Sequence, residues 1–367
     1  MNQLVANQLN EEGAIVLILN MQKGAEIGLD YNSWLVGPEF MGFKMINPGF
    51  HCLFYSSVNS QHEFSVRTIL PIFLESKEVH VYSWDAKEEQ LVDQKDLPEE
   101  EVTRYQRSGS QFVYDKQTAY YPFETIGKWM NMTNHISIKV YKRLMSVSPS
   151  SFVLDPTVTP QYNYTPTVNI TQLVKRGDAH SQLASSSSSG PVSRLSQLYL
   201  DASDELERLC RQSSYSEVVG EFQFAFVLFH IGQSYESFLQ WKNILFLLTA
   251  SFSMATSGDI SVVAFYRSAM KTLRLQLSEL DDDFFLLSQG EEGEMREAVQ
   301  GDGGKQRVNR TNFVIKCLES FNQILLEEPA HVDGEVKETF QAIRATMRRR
   351  FGVEFEDTCE GPFVMEE

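Results

Sequence analysis

At 367 residues the chain is long enough for two domains, and a hydrophobic content of 42% supplies two cores. Its formal charge of −17, from 49 acidic and 32 basic residues, repels phosphate backbones from most of the surface and disfavours direct nucleic-acid binding. The deficit deepens along the chain, with 20 acidic against 15 basic residues up to position 190 and 29 against 17 beyond it, so the second half favours basic partners.

The first residues, MNQLVANQLNEEG, carry acids where a secretory leader needs an apolar run, so no leader is expected. Residues 24–57 are scaffold. Gly28, Gly37, Gly42 and Gly49 recur between apolar pairs, and Gly37-Pro38 and Asn47-Pro48-Gly49 punctuate short strands as turns. In the last of these strands Phe50, Leu53 and Tyr55 are set against Cys52 and Phe54; both sets are apolar, which predicts burial on both faces. Further strands are expected at 15–19, 51–55, 69–74, 78–84 and 111–114. Val79, Val81 and Ser83 alternate with His80, Tyr82 and Trp84, one set per face. A sandwich or partly closed barrel follows from this pattern.

Residues 99–108 are charged and predict a short surface helix. Pro122 opens another, with Ile126, Trp129, Met130 and Thr133 on the side laid across the sheet. From 146 to 190 the pattern dissolves into Ser, Pro, Thr and Asn, which is the composition of a flexible linker, although 152–154 or 168–174 suit pairing with a strand edge.

After Gly190 the period is helical. Leu195, Leu198, Tyr199, Ala202, Leu206 and Leu209 form one stripe, and Val218, Phe222, Ala225, Phe226 and Phe229 another. Gly232 stops that helix and Ser234 caps the next, 235–250, which turns Phe238, Trp241, Leu245 and Leu248 inward. Helices at 260–280, 311–326 and 336–351 complete a bundle or short solenoid of stacked hairpins, and the Gly- and acid-rich stretch 290–304 is a loop. The fold class is therefore α+β and multidomain: a β-rich domain at 1–145 with a flanking helix, a linker at 146–190, an all-helical domain at 191–352 and an acidic tail at 353–367.

The search for chemistry returns little. The seven histidines have no paired metal-ligand spacing, and Cys52, Cys210, Cys317 and Cys359 stand singly, which fits a reducing compartment and predicts neither metal nor cofactor. The Asn-x-Ser/Thr sequons at Asn131, Asn163, Asn169 and Asn309 are then chance matches. Ser108-Gly109-Ser110 lacks a nucleophile elbow and is read as a loop; the acidic runs 99–101 and 281–283 are helix starts or solvated faces. The apolar windows 222–232 and 244–250 are too short to span a bilayer.

Two features suit partners. Arg344, Arg348, Arg349 and Arg350 end the last helix, where positive charge complements the dipole. The tail has six acids and no base, with apolar Val353, Phe355, Phe363, Val364 and Met365 as anchors for adding a strand to a basic partner's sheet edge, outside both cores.

Gly24, Gly28, the run Asp30-Tyr31-Asn32-Ser33-Trp34, Gly37-Pro38, Lys44-Met45-Ile46, His51 and Tyr55-Ser56-Ser57 together resemble the amino-terminal signature of the AAR-type splicing factor homologues. Tyr121-Pro122, Lys128-Trp129 and Thr133-Asn134 resemble a second family segment. Residues 220–226, Gly232, Tyr235-Glu236 and Trp241-Lys242 resemble its helical core. The resemblance implies a helical domain like VHS-type solenoids and no enzymatic activity. It implies a U5 snRNP assembly factor that binds the RNase H-like and MPN-like domains of the large U5 pre-mRNA-processing protein. Such a factor blocks premature helicase and RNA binding, and works in cytoplasm and nucleus. The chain alone is expected to be a monomer that touches neither nucleic acid nor membrane. Release calls for regulation, and phosphorylation is expected to supply it in the accessible Ser-rich regions 181–189 or 251–257, with Ser251 and Ser253 as the named candidates of the second. The alternative is a helical adaptor in membrane trafficking, for which the only basic patch is Arg348 to Arg350.

Overall fold

The computed structural model describes residues 9–145, 152–153, 201–286 and 308–355. They fall into two compact units: Met1–Pro166 with Gln223–Phe238, and Thr167–Phe222 with Leu239–Glu367. Residues 223–238, which the periodicity assigns to the helical half, cluster with the first unit. Apart from 152–153, the stretch 146–200 lies outside the described residues, as do the loop 290–304 and the tail beyond 355.

Among the described residues the first unit holds two five-stranded sheets. One contains β1 (Ala14–Leu19), β4 (Gly42–Ile46), β7 (Val79–Asp85), β8 (Gln90–Asp93) and β9 (Thr118–Tyr120), in the order β8-β7-β1-β4-β9. The other contains β2 (Glu26–Leu29), β3 (Asn32–Leu35), β5 (Gly49–Ser56), β6 (Thr68–Leu74) and β10 (Phe152–Val153), in the order β10-β6-β5-β2-β3. The second sheet is antiparallel throughout, whereas β1 runs parallel to β7 and β4 to β9.

Alternation sorts the side chains into layers. Val16, Ile18, Phe43, Tyr82 and Trp84 of the first sheet meet Ile27, Leu29, Leu53, Tyr55, Leu70 and Ile72 of the second in one core. Ile15, Leu17, Leu19, Val79 and Val81 face the other way, against Leu97, Tyr105 and Tyr114. Helix α1 (Glu99–Ser110) covers that outer face, and Gly109 is buried in it: a Cβ there would stand 2.8 Å from Val79 Cγ1. Ser108-Gly109-Ser110 is thus a helix end and not a loop. Residues 111–114 form turns and no strand, because α1 runs on to Ser110 and the chain must reverse before β9.

Phe50 shares a face with Cys52 and Phe54 and not with Leu53, as strict alternation along β5 requires. That outer face is covered by α2 (Phe123–Thr133) and α3 (Ile138–Leu144): Trp129 stacks on Phe50 and donates its indole N–H to the Phe50 carbonyl at 2.8 Å, and Tyr141 donates to the Pro71 carbonyl at 3.0 Å. Burying such an indole contributes about 2–3 kcal/mol. On α2 the inward side is Trp129, Met132 and Thr133, while Met130 is exposed. Gly28 admits the Phe54 ring, which would lie 2.0 Å from any Cβ. The short pairing of Phe152–Val153 with β6, Phe152 opposite Ile69, realises the strand-edge pairing expected of 152–154.

Among the described residues the second unit is helical: α4 (Ser203–Gln212), the first half of α5 (Tyr215–His230), most of α6 (Tyr235–Ala250), α7 (Phe252–Ala255), α8 (Ile260–Glu279), α9 (Phe313–Glu327) and α10 (Gly334–Phe351). Side-chain caps start several of them: Asp259 on α8, Asn312 on α9 and Asp333 on α10 each accept from the first-turn N–H groups. Ser234 caps α6 through the Ser237 N–H, as the sequence implies. Arg267 pairs with Asp333 at the start of α10, while Asp282, just past α8, pairs with Arg350 at its end. Helices α8 and α10 therefore run parallel, and Phe321 of α9 contacts both Tyr266 and Phe340. Gln276, fully buried, accepts from the Trp241 indole at 2.9 Å and donates to the Phe222 carbonyl at 3.2 Å.

Candidate partner-binding site

The tail root is part of the helical core. Gly352 ends α10 in the left-handed region at φ 67°, its N–H bonding to the Arg348 carbonyl and that of Val353 to Met347, so the chain doubles back. Val353 is then 3% exposed and Phe355 8%, with the Phe355 ring 6.2 Å from Phe340 and the Arg344 guanidinium above it. The expectation that Val353 and Phe355 are free anchors outside both cores is corrected: the helix-ending turn folds them onto α10. Phe363, Val364 and Met365 lie outside the described residues. Two of the terminal arginines are engaged within the chain, Arg348 with Glu354 at 3.1 Å and Arg350 with Asp282 at 2.9 Å and the Ser278 carbonyl, which matches their reading as helix-end charge.

The two serines differ. Ser251 is fully buried and donates to the Leu247 carbonyl, so its expected accessibility is corrected. Ser253 is exposed, and its N–H and hydroxyl both donate to Asp201 Oδ2, while Asp201 Oδ1 accepts from Ser203. Burial alone would raise the Asp201 carboxyl, but the hydrogen bonds from Ser203 and Ser253 hold it below its ordinary value. One carboxylate thereby fastens the start of α4 to the start of α7.

The histidines set among acids are closed. His51, 1% exposed, has Nδ1 2.7 Å from Asp30 Oδ2 and Nε2 2.5 Å from the Asn47 carbonyl; Asp30 also accepts from the Tyr121 hydroxyl at 2.6 Å and the Cys52 N–H at 2.9 Å. Burial and the Asp30 carboxylate push the Tyr121 phenol far up, keeping it a donor. His80 is held between Glu78 at 3.1 Å and Asp93 at 3.2 Å. Among the described residues, no group of three or more His, Cys, Asp or Glu is arranged to hold a metal, and no helix is long and apolar enough to cross a membrane.

Sequence reasoning missed the role of residues 223–238. Gln223, fully buried, accepts from the His135 N–H and donates to Asn134 Oδ1, both at 2.8 Å, spanning the turn between α2 and α3. Phe224 lies 5.3 Å from Phe50, Arg67 donates to the Ile231 carbonyl at 3.1 Å, and a Cβ on Gly232 would meet Ile69 Cδ1 at 1.5 Å. This segment is thus a layer of the first unit. Its signal was present: residues 217–228 are buried on every side of α5, not along one stripe, and a Gln inside such an apolar run needs a partner.

Comparison with known proteins covers both parts. The family model described as the AAR2 N-terminal domain matches residues 12–146, and that described as the AAR2 C-terminal repeat region matches 181–356. The chain is 32% identical over 400 residues to a Homo sapiens protein named Protein AAR2 homolog, covering 100% of this chain and 97% of that one. A Mus musculus protein of the same name is 33% identical over 317 residues, covering 78% and 81%. One from Caenorhabditis elegans is 25% identical, covering 96% and 97%. None of these descriptions carries a catalytic activity.

Proposed function

Because the chain belongs to the AAR2 family, we propose that it is a non-enzymatic assembly factor of the U5 snRNP in pre-mRNA splicing. It grips the RNase H-like and MPN-like domains of the large U5 pre-mRNA-processing protein and holds off RNA and the helicase until release. The observation that carries this reading is the reach of the family match, which covers 12–146 and 181–356 in order. Charge gives it a physical basis: a chain at −17 masks a basic RNA-binding face by overlap and by field. A catalytic role for His51 or His80 is disfavoured, since both ring nitrogens of each already face protein partners. The factor works as a monomer before binding, in cytoplasm and nucleus.

Release is assigned to phosphorylation of Ser253, the exposed member of the expected pair. A phosphate there brings about two negative charges onto the Asp201 carboxylate and breaks the link between α4 and α7. Co-purification from separate nuclear and cytoplasmic extracts tests the main reading. The large U5 protein is expected in the bound fraction; its absence, together with a bound membrane coat or turnover of a metabolite, would overturn it.

A further inference from the structure

We infer that the free edge of β3 is a second binding surface, one that takes an extended, cationic segment of another protein as an added strand. The inference rests on the reading of this chain as a binding protein. The register identifies the open groups. Asp30 N–H bonds to the Cys52 carbonyl of β5, and Val36 N–H bonds back to Ala25. Antiparallel pairing alternates, so Asn32 and Trp34, opposite Leu29 and Ile27, point their backbone groups at β2. Ser33 and Leu35 point theirs away from the sheet.

The exposures agree. Ser33, Trp34 and Leu35 are all exposed, Trp34 at 37% and Leu35 at 67%, and among the described residues no strand pairs with β3 on this side. The opposite edge of the same sheet is paired, β6 being met by β10. In the other sheet, edge strand β8 carries Asp93, while β9 is three residues long. Native edges are commonly guarded by charge, proline or a cover, yet Asn32-Ser33-Trp34-Leu35 has neither charge nor proline and presents a tryptophan and a leucine. An incoming strand would set its side chains alternately beside Trp34, which packs on Phe43 at 5.3 Å, and beside Leu35, whose register partner is Glu26.

Charge selects the occupant. The first unit carries 20 acidic and 13 basic residues and the whole chain −17, so pairing with a second copy is opposed by repulsion and a Lys- or Arg-bearing segment is favoured. The test uses the full chain, NMR and a short synthetic peptide alternating Val and Lys, with a counterpart carrying Glu for Lys. The expected result is that the Ser33 and Leu35 amides exchange freely in the monomer and slow about tenfold on adding the Lys peptide. The Glu peptide is expected to bind about tenfold more weakly. Leu35→Pro removes an outward N–H that an edge strand can spare, and Leu35→Lys leaves the backbone intact; each should weaken the Lys peptide about tenfold at an unchanged melting temperature. Equal binding of both peptides, shifts elsewhere, or full affinity in Leu35→Lys would overturn the proposal. Protection of Ser33 and Leu35 before any peptide is added would do so too, by assigning the edge to this chain's own residues or, where sedimentation shows a dimer, to a second copy. Failure here leaves co-purification with the U5 protein intact, so the two readings fail separately.

Discussion

Gln223 and Asn134, 89 positions apart, are joined by a 2.8 Å hydrogen bond whose donor is a fully buried amide. The other end of that amide takes the His135 N–H, so one side chain closes the turn between α2 and α3. Gln223→Ala leaves both groups without this partner and should cost about 1–3 kcal/mol in urea unfolding. Gln223→Glu keeps the acceptor but buries a charge and should cost more. Unchanged midpoints in both would show that the clamp contributes nothing.

Gly232 gives a second test of the same layer. A Cβ there meets Ile69 Cδ1 at 1.5 Å and the Leu228 carbonyl oxygen at 2.6 Å, so Gly232→Ala should lower stability by about 1–3 kcal/mol. Adding Ile69→Val removes only the first clash and should restore part of the loss. Full recovery in the double mutant would mean the backbone contact yields freely.

Two truncations separate the tail from its root. Removing residues 356–367 should leave the melting temperature unchanged, while removing 353–367 should lower it by several degrees, because Val353 and Phe355 are buried. Phe355→Ala alone is expected to cost about 2–4 kcal/mol through its lost contact with Phe340. Equal melting temperatures for the two truncations would put the root outside the core after all.

Ser253→Asp should weaken binding to the large U5 protein, while Ser253→Ala should bind nearly as the wild type does. Mass spectrometry after kinase treatment should find phosphate on Ser253 and none on Ser251, which is fully buried and donates to the Leu247 carbonyl. Modification of Ser251 in the folded chain would contradict that burial.

His80 predicts a pH window. Burial alone would lower its pKa, but its hydrogen bonds to the Asp93 and Glu78 carboxylates, which accept from the ring, hold it above the ordinary 6.5. Glu78 and Asp93, although desolvated, are held below their ordinary 4.5 and 3.8. A raised histidine contributes stability that is complete below its unfolded value and lost as pH rises through the folded one; lowered carboxylates contribute above their unfolded values and lose it in acid. The cluster therefore stabilises most between about pH 4.5 and 6.5. The melting-temperature gap between wild type and His80→Gln should peak there and shrink above neutrality. A gap independent of pH would assign His80 a packing role alone.

The alternation of Val79 and Val81 against Tyr82 and Trp84 was legible because a strand has one inside and one outside per face, and both sets found a core. Trp129 was legible as an inward residue, yet Met130 was not separable from Met132, since a helix only eleven residues long leaves the edge of its apolar stripe open. In α5 the apolar run announced burial but not its neighbours, because a helix buried all round carries no direction in its pattern.

Sequence alone determined the order of elements, the β-rich and helical halves, the cap at Ser234 and the family, since these follow from local periodicity, turn chemistry and shared residues. Only the tertiary structure decided that residues 223–238 belong with the sheets, that Ser251 is sealed while Ser253 is open, and that Val353 and Phe355 fold back onto α10. Those outcomes turn on which apolar surfaces meet, and burial is a property of pairs distant in the chain that no local pattern encodes.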